Sequence, residues 1–93
     1  MRDYELTLIL KPTLNEEGIA GTTSKVEGWI TGNGGEMVTV TPVGRKRLAY
    51  PVAHQRDGSY VVMQLRARPE TLVEVERNLK LSEDVLRHMI LRR

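Results

Sequence analysis

Gly44-Arg45-Lys46-Arg47-Leu48-Ala49-Tyr50-Pro51 is the stretch on which the fold turns. It continues Glu36 to Val43, and the two halves read as one long strand reaching Val52. Pro42 and Pro51 fall inside it, and proline cannot donate to a ladder, so this strand belongs at the edge of a sheet. Gly44, between the halves, marks a bulge. Three consecutive cations repel one another, and with alternating side chains at least one must lean toward the half-buried face. They answer either to a group outside the chain or to the edge itself, where charge discourages pairing with another sheet.

Working outward, Tyr4, Leu6, Leu8 and Leu10 alternate with Glu5, Thr7, Ile9 and Lys11, a strand with one apolar face that Pro12 stops. Asn15 before Glu16 and Glu17 reads as a helix N-cap with acids complementing the dipole. Ile19, Thr23, Val26 and Ile30 form a helical stripe with Trp29 beside it, and Gly32-Asn33-Gly34-Gly35 ends the helix. Gly18, Gly21 and Gly28 each cost this helix about 1 kcal/mol relative to Ala, so tertiary packing must hold it.

On the other side, Asp57-Gly58 is a turn signal and Tyr60 to Ala67 a third strand. Pro69 opens a second helix with Leu72, Val75 and Leu79 on one stripe. Its outer side carries Glu70, Glu74 and a Glu76–Lys80 pair. Ser82-Glu83-Asp84 breaks it, and Val85 to Leu91 is a last strand. The order β-α-β-β-α-β predicts an α+β fold, the ferredoxin-like split β-α-β. In it a four-stranded antiparallel sheet carries two helices on one face, in a single domain spanning residues 1–93. With Leu6, Leu8 and Leu10 toward the helices, Glu5, Thr7 and Ile9 face outward. Val61, Met63 and Leu65 likewise point in, leaving Tyr60, Val62, Gln64 and Arg66 on an uncovered face whose mixed character suits protein docking. The last strand is apolar on both sides, and its faces stay unassigned.

The net charge of +2 is modest, but its distribution is regional. Arg45 to Arg68 holds six cations against Asp57 alone, and Arg87 to the end holds three more with no acid. Between them, Glu70 to Asp84 carries five acids against Arg77 and Lys80. That layout fits a surface facing phosphate. No apolar run approaches the roughly 18 residues of a membrane span, and Met1 leads almost directly into a strand, without an expected targeting segment. Without cysteine there is no disulfide, thiolate site or zinc knuckle.

Catalytic chemistry finds no foothold. His54 reads as a solvated turn residue and His88 as a packed or hydrogen-bonded one, neither beside a nucleophile or paired carboxylate. Metal-ligand spacing is absent, and the glycine-rich segment follows a helix rather than opening one, so it is no phosphate loop. No catalytic residue, metal, cofactor, small-molecule substrate or membrane is therefore expected. Nucleic-acid binding is the stronger reading. Stacking of bases on the open sheet needs two or three aromatics, and Tyr60 stands alone there. Phosphate contacts from loops and strand ends are the expected mode.

Three segments carry a family resemblance: Met1-Arg2-Asp3-Tyr4-Glu5, the Gly44–Pro51 block, and Glu76-Arg77-Asn78-Leu79-Lys80-Leu81-Ser82-Glu83-Asp84-Val85-Leu86-Arg87-His88. Together they resemble bacterial small-subunit ribosomal protein S-six, over essentially the whole chain. The resemblance implies sheet order 4-1-3-2 and a non-enzymatic role in the cytoplasm, within the ribosome. That role is binding the central domain of small-subunit ribosomal RNA together with ribosomal protein S-eighteen, as a heterodimer. It places Lys46, Arg47, Leu48 and Tyr50 in the partner-contacting region, to which the open face adds Tyr60 and Val62. On the charge map, Arg2, Arg45, Arg87, Arg92 and Arg93 are the expected RNA contacts. The glycine- and threonine-rich first helix departs from the family's usual Glu, Lys and Leu. The sequence also shows no charged tail of the kind many relatives carry after the last strand.

Overall fold

In a computed structural model covering residues 1–93, six elements follow one another along the chain. They are β1 (Arg2–Leu10), α1 (Glu16–Gly32), β2 (Glu36–Val52), β3 (Gln55–Ala67), α2 (Pro69–Leu81) and β4 (Val85–Arg92). The sheet is antiparallel in the order β2-β3-β1-β4, so β2 is an edge strand as its prolines require. One face carries Tyr4, Leu6, Leu8 and Leu10 of β1 and Val61, Met63, Leu65 and Ala67 of β3. These pack against Val26 and Ile30 of α1 and Val75 and Leu79 of α2 in a single core.

Packing holds the weakly written first helix, as its sequence demands. Asn15 caps it, its side chain accepting from the Gly18 amide at 2.8 Å. Thr22 and Thr23 are buried because each hydroxyl donates back to a carbonyl of its own helix, Gly18 and Ala20, at 2.9 Å. The far end closes in a Schellman arrangement. The Gly35 amide reaches Ile30 O at 2.8 Å and that of Gly34, at φ +87°, reaches Thr31 O at 3.2 Å. A side chain at Gly35 would stand 2.8 Å from Ile30 Cγ2, so this glycine lets strand and helix meet. Thr71 of α2 then donates to Asn33 O at 2.8 Å, tying the second helix to the end of the first.

Four expectations are corrected. The β2–β3 turn is Ala53-His54 rather than Asp57-Gly58. Val52 pairs with Gln55, and φ is positive at both Ala53 (+49°) and His54 (+65°), the signature of a two-residue hairpin turn that normally favours Asn and Gly. Gly58 has another purpose: a Cβ there would sit 2.4 Å from Ile9 Cγ2, so it makes room for a neighbouring strand's side chain. The third strand accordingly starts at Gln55, not Tyr60, with Asp57 and Gly58 paired to Arg47 and Lys46. On α2, Glu76 turns away from Lys80 to His88, 3.6 Å away, while Glu74 pairs with Arg77.

The edge strand is more broken than one bulge at Gly44 implies. Its register shifts between Met37 and Thr39, between Pro42 and Gly44, and between Arg47 and Val52. The first two leave Val38 and Val43 as extra, exposed residues, with Gly44 at φ +109°. Interruptions of this kind keep an exposed edge from templating another strand.

A candidate protein and RNA interface on the open sheet

The uncovered face is built by strand register. Directly paired residues of antiparallel strands share a face, so the pairs of β1 assign β4, which is apolar on both sides. Thr7 pairs with Val62 on one side and Met89 on the other, and Glu5 with Gln64 and Leu91. Ile9 likewise lies between Tyr60 and Arg87. Ile90 and His88 therefore point toward the helices, opposite Leu6 and Leu8, and Arg87, Met89 and Leu91 point out. Met89 and Leu91 are about half exposed and extend the apolar surface beyond Tyr60 and Val62. Sequence alternation alone could not find them, because the strand offers leucine, isoleucine or methionine on both sides.

The Gly44–Pro51 block forms an arm. β1 ends its pairing with β3 at Leu10–Ser59, and beyond that point the β2–β3 ribbon runs on as two strands. Between the pairs Arg47–Asp57 and Val52–Gln55, Leu48 to Pro51 face Arg56 alone, a wide irregularity that turns side chains out of the ladder. Leu48 lies toward Gly58, over which Ile9 also folds. Lys46 stands 5.8 Å from the centre of the Tyr60 ring. Tyr50, more than half exposed, accepts a hydrogen bond on its hydroxyl from Arg87 Nη1, whose guanidinium carbon is 5.4 Å from the ring centre. Lys46, Leu48, Tyr50, Tyr60 and Val62 thus gather on one side of the sheet. Arg47, one position out of phase with Lys46 and Leu48, falls on the other side of the ribbon. Tyr60 has Lys46 over its ring, and its paired neighbours, Ile9 and Gly44, bring no second ring beside it.

The five arginines of the charge map divide into two groups. Arg2, Arg92 and Arg93 converge where β1 starts and β4 finishes: Tyr4 pairs with Arg92, and the Arg93 amide donates to Asp3 O at 2.9 Å. Arg66 and Arg68 stand at the same end, since Arg2 pairs with Ala67 and Asp3 with Arg66. Arg66 meets Asp3 at 3.3 Å, whereas the side chains of Arg2, Arg68, Arg92 and Arg93 carry no ion pair. Arg87 lies five residue steps away along the sheet, about 17 Å at 3.4 Å per residue, and is engaged by Tyr50. Arg45 is also at that distal end, where Nη2 donates to Pro12 O at 2.6 Å and ties the arm to the β1–α1 connection. The strand end thus gathers arginines without ion pairs, while Arg45 and Arg87 bond to Pro12 and Tyr50 of the chain itself.

His54 is exposed at the hairpin turn, and His88 is partly buried beside Glu76. No three His, Cys, Asp or Glu side chains gather as a metal would need, and no helix is long and apolar enough to cross a membrane. Arg77 has its pKa raised by its hydrogen bond to Glu74 and by that carboxylate's charge, so it remains a cation.

Comparison with known proteins bears on this surface. A family model described as "Ribosomal protein S6" matches residues 3–92. The chain is 42% identical over 89 residues to the small ribosomal subunit protein bS6 of Campylobacter curvus, covering 96% of this chain and 63% of that one. It is 36% identical over 92 residues to the small ribosomal subunit protein bS6 of Desulforamulus reducens, covering 99% and 97%. The chain thus spans just under two thirds of the Campylobacter protein and nearly all of the other. The crystal structure of 30S ribosomal protein S6 from Thermotoga maritima aligns with a TM-score of 0.92 at 26% identity, over 99% of this chain and 87% of that one.

Proposed function

The chain belongs to the ribosomal protein S6 family, a family of the small ribosomal subunit, and from that premise we propose how its two surfaces are used. It acts as a structural, non-enzymatic constituent that binds the central domain of small-subunit ribosomal RNA together with ribosomal protein S-eighteen. The open face meets the protein partner through Lys46, Leu48, Tyr50, Tyr60 and Val62, with Met89 and Leu91 joining them. Arg47 reaches the partner from the other side of the arm. The basic strand end, Arg2, Arg92 and Arg93 with Arg68, meets phosphate.

One observation carries this reading. The sheet face away from the helices is uncovered, partly apolar and continuous with the arm, while Arg2, Arg68, Arg92 and Arg93, none of them ion-paired, lie together at one end of the sheet. An apolar patch of that kind is stable in water only at a cost that a protein partner removes. Cations at a strand end give affinity without reading sequence, so specificity must come from RNA shape and from the partner.

The test is binding of the purified protein to a central-domain RNA fragment, with and without S-eighteen, over a range of salt. Binding should be weak alone and strengthen with the partner, and should fall with salt as phosphate contacts do. Equal affinity with and without S-eighteen sinks the co-binding model.

A further inference from the structure

We infer that Arg87 is a positioning residue: through Tyr50 it latches the β2–β3 arm across the open face, in the orientation that receives the protein partner. This rests on the partner reading above, and it assigns Arg87 to the arm rather than to RNA. The arm needs such a restraint. Past Leu10–Ser59 it is two strands without a third, and isolated two-stranded ribbons are marginally stable in water. Within it the ladder is broken from Leu48 to Pro51, which loosens the ribbon and frees Tyr50 to project.

Arg87 stands on β4, separated from the arm by β1. It has no carboxylate partner, and its guanidinium both donates to the Tyr50 hydroxyl and approaches that ring. The contact spans the end of β1 and joins the two elements that flank the face. Beneath it, Leu48 lies toward Gly58 and Ile9, and Lys46 covers Tyr60, so the latched arm and the sheet present one surface. Four of the six expected partner-contacting residues, Lys46, Arg47, Leu48 and Tyr50, ride on this arm. An arm that samples other orientations lowers apparent affinity in proportion to its competent fraction. A cation–π contact with a hydrogen bond at a half-exposed site supports a change of about tenfold.

The experiment uses Tyr50→Phe, which keeps the ring and removes the hydroxyl, Arg87→Met, which keeps the aliphatic stem, and the two combined. Amide hydrogen exchange of the free protein should quicken across residues 47–56 by up to about tenfold in each single variant. Exchange in β1 should stay unchanged, and the double variant should be no faster than the quicker single. Affinity for purified S-eighteen should fall in parallel and equally non-additively. Thermal melting separates these effects from global unfolding. Unchanged exchange across the arm, or effects that simply add, would overturn the latch. Faster exchange with undiminished S-eighteen affinity would overturn the positioning role. Failure of the wild-type protein to bind S-eighteen would instead refute the partner reading, leaving exchange alone to judge the latch.

Discussion

Replacing Gly21 and Gly28 with alanine is expected to stabilise the protein by about 2 kcal/mol in total, at about 1 kcal/mol per site. Both glycines lie in the body of α1 and are exposed, and nothing stands within 4 Å of where either new methyl group would be placed. The gain is therefore the intrinsic helix preference of alanine, with no packing loss to offset it. Gly18 differs, because a Cβ there would meet Leu14 Cδ2 at 3.1 Å and the capping Asn15 Oδ1 at 3.3 Å, so it is left alone. For a chain of this size 1 kcal/mol moves the melting temperature by roughly 4–8 °C, so the double variant should melt about 8–16 °C higher. Circular dichroism during heating, with urea titration alongside, measures this. The urea slope should hold, showing that the folded and unfolded states are otherwise unaltered. A rise below about 3 °C would refute the claim that α1 is limited by its own backbone preference, and so would any fall.

Other consequences are as direct. Converting the turn to Ala53→Asn with His54→Gly should raise stability by about 1 kcal/mol, because two residues at positive φ would give way to those that turn favours. No gain in urea midpoint would argue against that turn geometry. Gly58→Ala should cost about 1–3 kcal/mol, since its methyl collides with Ile9, and pairing it with Ile9→Val should not relieve the clash because Cγ2 remains. An unperturbed melting curve would sink this. The triple variant Arg2→Gln, Arg92→Gln, Arg93→Gln should weaken RNA binding at low salt and flatten its salt dependence, by about 0.7–0.9 in slope for each phosphate no longer neutralised. An unchanged slope would move the RNA surface elsewhere.

Much of the fold was legible because its signals were redundant. Alternation fixed both faces of β1 and β3, two prolines fixed β2 at an edge, and Asn15 and Pro69 opened the helices where expected. The turn was missed because Asp57-Gly58 is a stronger local signal than Ala53-His54, yet cross-strand crowding by Ile9 had the prior claim on that glycine. The faces of β4 were illegible from sequence because they depend on which residues of β1 they oppose. The charge map located the basic regions but not their partners: Arg45 and Arg87 turn to Pro12 and Tyr50, across separations of 33 and 37 residues that no local pattern encodes.

The arm also has a mechanical character. From Ser59, where the third strand gives out, to the Ala53-His54 turn is six residues, a lever of about 20 Å. A pivot of about 10° at its root would sweep the tip through roughly 3–4 Å, more than the length of a hydrogen bond. Small disturbances at the fulcrum, such as a methyl group forced between Gly58 and Ile9, are thereby amplified at the tip. A restraint near the tip resists them with the greatest leverage, and that is where Tyr50 stands.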